Sequence, residues 1–172
     1  ADRDVSPLVD AALEKVDALA PAAGLVPVTG PGIRVTMSDA PRDSDGNYPA
    51  GVDPDDLVIH QQDVQAAVNA LWAGGAEAMM IMDQRVLTTS AVRCIGNTLL
   101  LQGRTYSPPF VITAIGDAAS MSAALDREPG VRLLRQYVDK FHLGYEVTAV
   151  DQVELPAYDG VIRMKSATEG GR

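Results

Sequence analysis

VQAAVNALWAGGAEAMMIMDQR, residues 64–85, is the stretch that decides the fold. From Gln61 to Ala73 the apolar residues Val64, Ala67, Val68, Leu71 and Trp72 fall on one helical face, with Gln62, Gln65 and Asn69 opposite. Gly74-Gly75 supplies the left-handed stop. Residues 76–82 are apolar apart from Glu77, as a central strand covered on at least one side requires. The polar triplet Asp83, Gln84, Arg85 closes the unit.

Working outward, a second such unit follows. Residues 110–115 (FVITAI) read as a buried strand, and Asp117 stands as N-cap ahead of a helix over 118–126. Pro129-Gly130 breaks that helix, and 131–141 resume with Val131, Leu134, Val138 and Phe141 in register. Residues 145–150 and a short piece at 153–155 read as closing strands. Between the units, 86–92 and 94–102 read as strands around a turn at Gly96-Asn97. Upstream, 26–37 form a strand in which Ile33, Val35 and Met37 alternate with Arg34, Thr36 and Ser38. Residues 39–56 are a long polar loop. Residues 6–20 read as a helix with Val9, Leu13, Val16 and Ala20 spaced by four, three and four. That helix either packs on its own domain or is the end of a stalk or coiled coil.

This order predicts an α+β fold on the ferredoxin-like split βαβ plan with extra strands. A mixed sheet carries helices on one face, preceded by an N-terminal helix. A doubly wound parallel sheet is the alternative, and the hairpin at 88–101 counts against it. The expected organisation is an N-terminal helix over 1–24, a single α+β domain over 25–164, and a disordered tail over 165–172.

Composition excludes several functions. The chain has 172 residues, 47% of them apolar, enough for one core without staples. Aromatics are only 5%, so Val, Leu, Ile, Met and Ala must fill it. A net charge of −9 argues against nucleic acid, which demands a basic surface. Cys94 is the only cysteine, which rules out an internal disulfide or a cysteine metal site and reads as a buried inert thiol. The longest apolar runs, 78–82 and 110–115, are strand length, far short of the roughly 18 residues of a span.

Catalytic signatures are missing. Gly30-Pro31-Gly32 precedes a strand instead of following one, so the dinucleotide fingerprint fails. Asp43-Ser44-Asp45-Gly46-Asn47 suggests a calcium loop, but its glycine is at the fourth position and Pro54 replaces the closing acid. No nucleophile elbow is present, and neither His60 nor His142 has a partner at metal-site spacing. The expectation is therefore no enzyme, no cofactor and no metal. Glu77, an acid inside an apolar strand, reads as half of a structural ion pair with Arg93 or Arg85, with a general acid of raised pKa as the sharper alternative. For a ligand, the candidates are His60, Asp83, Gln84, Arg85 and Arg104. A deep polar pocket around them would mark a small-molecule binder or degenerate enzyme; a flat apolar patch would mark a partner surface.

GPGIRV (30–35), VNALWAGGAEAMMIMDQRV (68–86), CIGNTLLLQG (94–103), YSPPFVITAIGD (106–117) and ELPAYDG (154–160) together resemble the YlxW-like family of bacterial envelope proteins, domain of unknown function 881. The resemblance implies a single-pass cell-membrane protein with a short cytoplasmic N-terminus, a membrane helix and a stalk, this domain lying on the extracytoplasmic side. It implies envelope or cell-division proteins as partners, a homodimer through the N-terminal helix, and no established activity. The opening Ala-Asp-Arg, without an initiator Met, is expected of a piece that follows such an anchor. The family's strand usually ends Ile-Asn-Gly/Asp-Gln-Arg, and Met82 stands here in place of that asparagine.

Overall fold

A computed structural model describes residues 6–87, 90, 93–95 and 98–160. The tail at 165–172, the turn at Gly96-Asn97 and the surroundings of the Cys94 side chain lie outside the described residues. The elements are α1 (Ser6–Leu19), β1 (Val28–Ser38), α2 (Gln61–Ala73), β2 (Ala78–Ile81), β3 (Gln84–Val86), β4 (Arg93–Ile95), β5 (Thr98–Leu101), β6 (Arg104–Tyr106), β7 (Phe110–Ile115), α3 (Ala118–Arg127), α4 (Pro129–Phe141) and β8 (Gly144–Leu155). A 3₁₀ turn, Pro54–Leu57, sits in the long loop.

Five strands form one sheet in the order β3-β2-β7-β1-β8, and β4-β5-β6 form a small meander beside it. The fold is α+β as the sequence implies. Segments 78–81 and 110–115 are neighbours in the main sheet, pairing Met79 with Ala114 and Ile81 with Ile112. The expected mixed sheet is not formed, because every pairing is antiparallel. The reason is topological. The units β1-α2-β2 and β7-α3-α4-β8 interleave, so each pair of parallel strands has an antiparallel strand of the other unit between them.

Three further boundaries differ from the sequence reading. The strand expected over 86–92 begins earlier, as β3, so Gln84 and Arg85 belong to a returning strand. The pieces at 145–150 and 153–155 are one strand, β8, with a register shift opposite Gly30 and Gly32. Pro129 opens α4 instead of merely ending α3, as suits proline in a first helical turn.

Alternation divides the sheet into two faces. Ile33, Val35, Met37, Met79, Ile81, Ile112 and Ala114 point to the helix layer and join α2, α3 and α4 in the main core. Gly32 in β1 lets the strands close, since a Cβ there would fall on the Ala114 carbonyl oxygen. A row formed by Arg85, Met80, Thr113, Arg34 and Thr148 crosses all five strands on the opposite, helix-free face. A smaller apolar cluster of Ala78, Ile115 and Leu155 forms beside that row.

α1 stays outside this arrangement. Every residue from Pro7 to Leu19 is exposed, with Leu13 56% and Val16 58% accessible. Packing of α1 on its own domain, one of the two sequence readings, is therefore not what the chain does.

Candidate functional site

Asp83 occupies the exposed turn between β2 and β3, and its carboxylate makes three side-chain contacts. Oδ2 lies 3.1 Å from Arg104 Nη1. Oδ1 accepts the Tyr106 hydroxyl hydrogen and the Gln84 Nε2 hydrogen at 3.1 Å. The Tyr106 bond first, then Gln84, holds its carboxyl below the usual aspartate range. Desolvation, followed by the Asp83 bond, raises the Tyr106 phenol. This knot ties the β2–β3 turn to β6 of the small meander.

Gln84 and Arg85 are buried. Arg85 Nη1 donates to the Pro156 carbonyl oxygen at 3.0 Å, and the Arg85 carbonyl accepts Gln102 Nε2 at 2.8 Å. Arg85 Nε has no hydrogen-bond partner among the described residues. Burial lowers the guanidinium pKa. Above it runs the turn that joins α1 to the sheet, where Tyr158 N–H donates to the Gly24 carbonyl at 2.7 Å. Gly24 has φ +75°, and a Cβ there would lie 2.6 Å from Leu87 and 3.7 Å from Arg85 Nη2. Arg85 thus fastens the end of β8 to the sheet, and the base of α1 lies beside it, held to Tyr158.

His60 is not part of this cluster. It caps α2 in the helix layer: its N–H donates to Asp63 Oδ2 at 2.8 Å, and Nε2 lies 2.8 Å from the Asp55 carbonyl oxygen. Burial raises the Asp63 pKa, partly offset by the His60 N–H bond. The expected Glu77–Arg93 ion pair is also not formed. Glu77 is exposed at the entrance to β2, where its N–H donates to Ile115 O at 2.8 Å, and Arg93 is exposed on β4. The ion pairs among the described residues are Arg104–Asp83 and Arg135–Asp126.

Five residues chosen from sequence as ligand contacts therefore separate. Asp83, Gln84 and Arg104 form one knot, Arg85 a second anchor, and His60 a helix cap. Beside the knot, on the helix-free face, lies a shallow open depression of about 520 Å³ lined by Arg34, Met80, Met82, Asp83, Tyr106, Val111 and Thr113. Its lining is mostly apolar and its acid is already spent on Arg104 and Tyr106. Met82, in the β2–β3 turn, has φ +56°. Asparagine tolerates that left-handed conformation better than most residues. Tyr106, Gln102 and Pro156 were not singled out from sequence, because only the inserted meander and the end of β8 bring them to the triplet.

Among the described residues no group of three or more His, Cys, Asp or Glu side chains is placed to hold a metal. No helix among them is long and apolar enough to cross a membrane. The fold and its knots define an α+β domain whose polar triplet ties the β2–β3 hairpin to the small meander and to the end of β8.

The chain belongs to the family described as bacterial protein of unknown function (DUF881), whose model matches residues 15–168. It is 34% identical over 148 residues to UPF0749 protein Rv1823 of Mycobacterium tuberculosis (strain ATCC 25618 / H37Rv), covering 84% of this chain and 48% of that protein. To UPF0749 protein YlxW of Bacillus subtilis (strain 168) it is 30% identical over 108 residues, covering 63% of this chain and 45% of that protein. The chain thus spans about half the length of these curated relatives. A crystal structure of an uncharacterized conserved protein from Mycobacterium tuberculosis matches with a TM-score of 0.65 at 25% identity, over 91% of this chain and 99% of that one.

Proposed function

We propose that the chain is a non-catalytic interaction domain, held out from a bacterial membrane on its extracytoplasmic side by a helical stalk that pairs with a second copy. The observation that carries this reading is α1, an amphipathic helix of 14 residues with its apolar stripe wholly exposed. A lone helix of that length is marginal in water, so it needs a partner.

Register favours a particular pairing. With Val9 and Val16 at d and Leu13 at a, the e positions are Asp10 and Asp17 and the g positions are Ala12 and Leu19. A parallel pair sets each Asp17 against Ala12 of the second helix. An antiparallel pair would set aspartate against aspartate. The triplet Asp83-Gln84-Arg85 supports the interaction reading over the binder reading, because its bonds run to other parts of the fold: Asp83 to Arg104, Gln84 to Asp83, and Arg85 to the Pro156 carbonyl. Envelope or division proteins remain the partner class that the family resemblance implies.

The test is fractionation and in-cell crosslinking of the native protein. Recovery in the membrane fraction, with crosslinked protein partners, agrees with the proposal. Recovery as a freely soluble monomer with no crosslinked species contradicts it.

A further inference from the structure

A cleft of about 190 Å³ opens in the helix layer between α4 and the segment running from the 3₁₀ turn into α2. One wall is apolar: Leu133, Leu134 and Tyr137 of α4, with Leu143 and Val58. α4 presents that wall because Gly130, Leu133, Leu134 and Tyr137 follow the three-four spacing of one helical face. Leu133 stands at the rim, 53% exposed. The other wall is acidic, carrying Asp55, Asp56 and Asp63.

Among the described residues those carboxylates have no lysine or arginine of their own, and His60, which also lines the cleft, is the one basic group beside them. None of the three forms an ion pair among the described residues. Arg135, on the same helix, is turned to Asp126 at 2.6 Å. Asp63 spends one oxygen on the His60 N–H, whereas the loop's other turn-forming acids, Asp43 and Asp53, cap backbone within the loop. The cleft therefore pairs an apolar floor with three carboxylates against one imidazole. Its volume falls below the roughly 300–1,000 Å³ of small-molecule pockets and suits a single inserted side chain.

We infer that this cleft receives an arginine or lysine side chain from a protein partner, its aliphatic stem lying on Leu133, Leu134 and Tyr137 and its cationic head between Asp55, Asp56 and Asp63. Long basic side chains combine these two surfaces in one residue. The partner segment is basic and apolar in alternation, since the exposed Leu133 beside the cleft offers a contact for a neighbouring apolar residue. This rests on the interaction reading and names the partner's chemistry; it does not depend on pairing of α1.

The test is a titration of the isotope-labelled chain, followed by amide chemical shifts, with the capped tripeptide Leu-Arg-Leu as probe. The controls are the same peptide with citrulline for arginine, and spermidine. Expected are saturable shifts confined to Val58, His60, Asp63, Gly130, Leu133 and Leu134, lost with citrulline. The double substitution Asp55→Asn with Asp56→Asn weakens binding by roughly fivefold, as the loss of two partly exposed charge contacts implies. Leu133→Ser weakens it as well. Equal binding of the citrulline peptide, shifts spread over the 43–45 loop, tighter binding of spermidine, or no shift at all would each overturn the assignment. The stalk is read separately, by crosslinking at α1, so the two can fail independently.

Discussion

Arg85 and Pro156 lie 71 residues apart in sequence, and their 3.0 Å hydrogen bond joins the second strand of the β2–β3 hairpin to the end of β8. A Cβ added at Gly24 would come within 3.7 Å of Nη2 of the same side chain, so the base of α1 lies close to this anchor. The anchor carries a cost, because burial disfavours the charged guanidinium and Nε lacks a partner among the described residues.

Arg85→Ala is expected to destabilise the fold by about 2–3 kcal/mol, from lost packing and an orphaned Pro156 carbonyl. Arg85→Met keeps much of the volume without the buried charge and should cost less than Arg85→Ala. Urea unfolding of both variants checks the ordering. Equal losses would mean that volume plays no part.

Met82 holds φ +56° in a turn, a conformation that costs a side-chain-bearing residue roughly 1 kcal/mol. Met82→Asn should recover part of that. The gain is capped because the Met82 Sδ accepts the Val111 N–H at 3.2 Å and its side chain touches the core. A net rise of a few tenths of a kcal/mol in unfolding free energy is expected. A fall of more than about 1 kcal/mol would show that the side-chain contacts outweigh the turn.

The acid limb of stability should carry a signature of Asp83. Its folded pKa lies below the unfolded 3.8, chiefly through Tyr106. Its contribution is therefore present above that value and lost as pH falls through the folded pKa. The group is well exposed, so solvent screening keeps the effect small. Asp63 has the opposite sign: burial raises its folded pKa, so its contribution is present below 3.8 and lost as pH rises through the folded value. Urea midpoints measured across the acid range should fall less steeply with acidification in Asp83→Asn than in the parent. Identical slopes would remove Asp83 from the acid response.

Local signals carried much of this fold. Helical spacing and Gly74-Gly75 marked α2, the apolar runs marked β2 and β7, and Asp117 was readable as a cap because its Oδ1 needs only Ser120 N–H, 2.7 Å away and three residues on. What escaped was set by long-range pairing. Strand direction depends on how the two βα units interleave, which no local pattern records. Glu77 looked buried because its neighbours are apolar, yet it precedes the strand and faces water. The triplet was visible as polar residues but not as structural ones, since its partners Gln102, Tyr106 and Pro156 arrive from distant segments. The acidic cleft was hidden for the same reason: α4 must dock beside the 3₁₀ turn before its leucines meet the aspartates.

Pairing through α1 is tested most directly by cysteine crosslinking in the native protein with Cys94→Ser as background. Leu13→Cys lies on the apolar seam, and Glu14→Cys lies on the outer face. The account predicts a disulfide-linked dimer from Leu13→Cys under mild oxidation and none from Glu14→Cys. Equal crosslinking at both positions, or none at either, would contradict it.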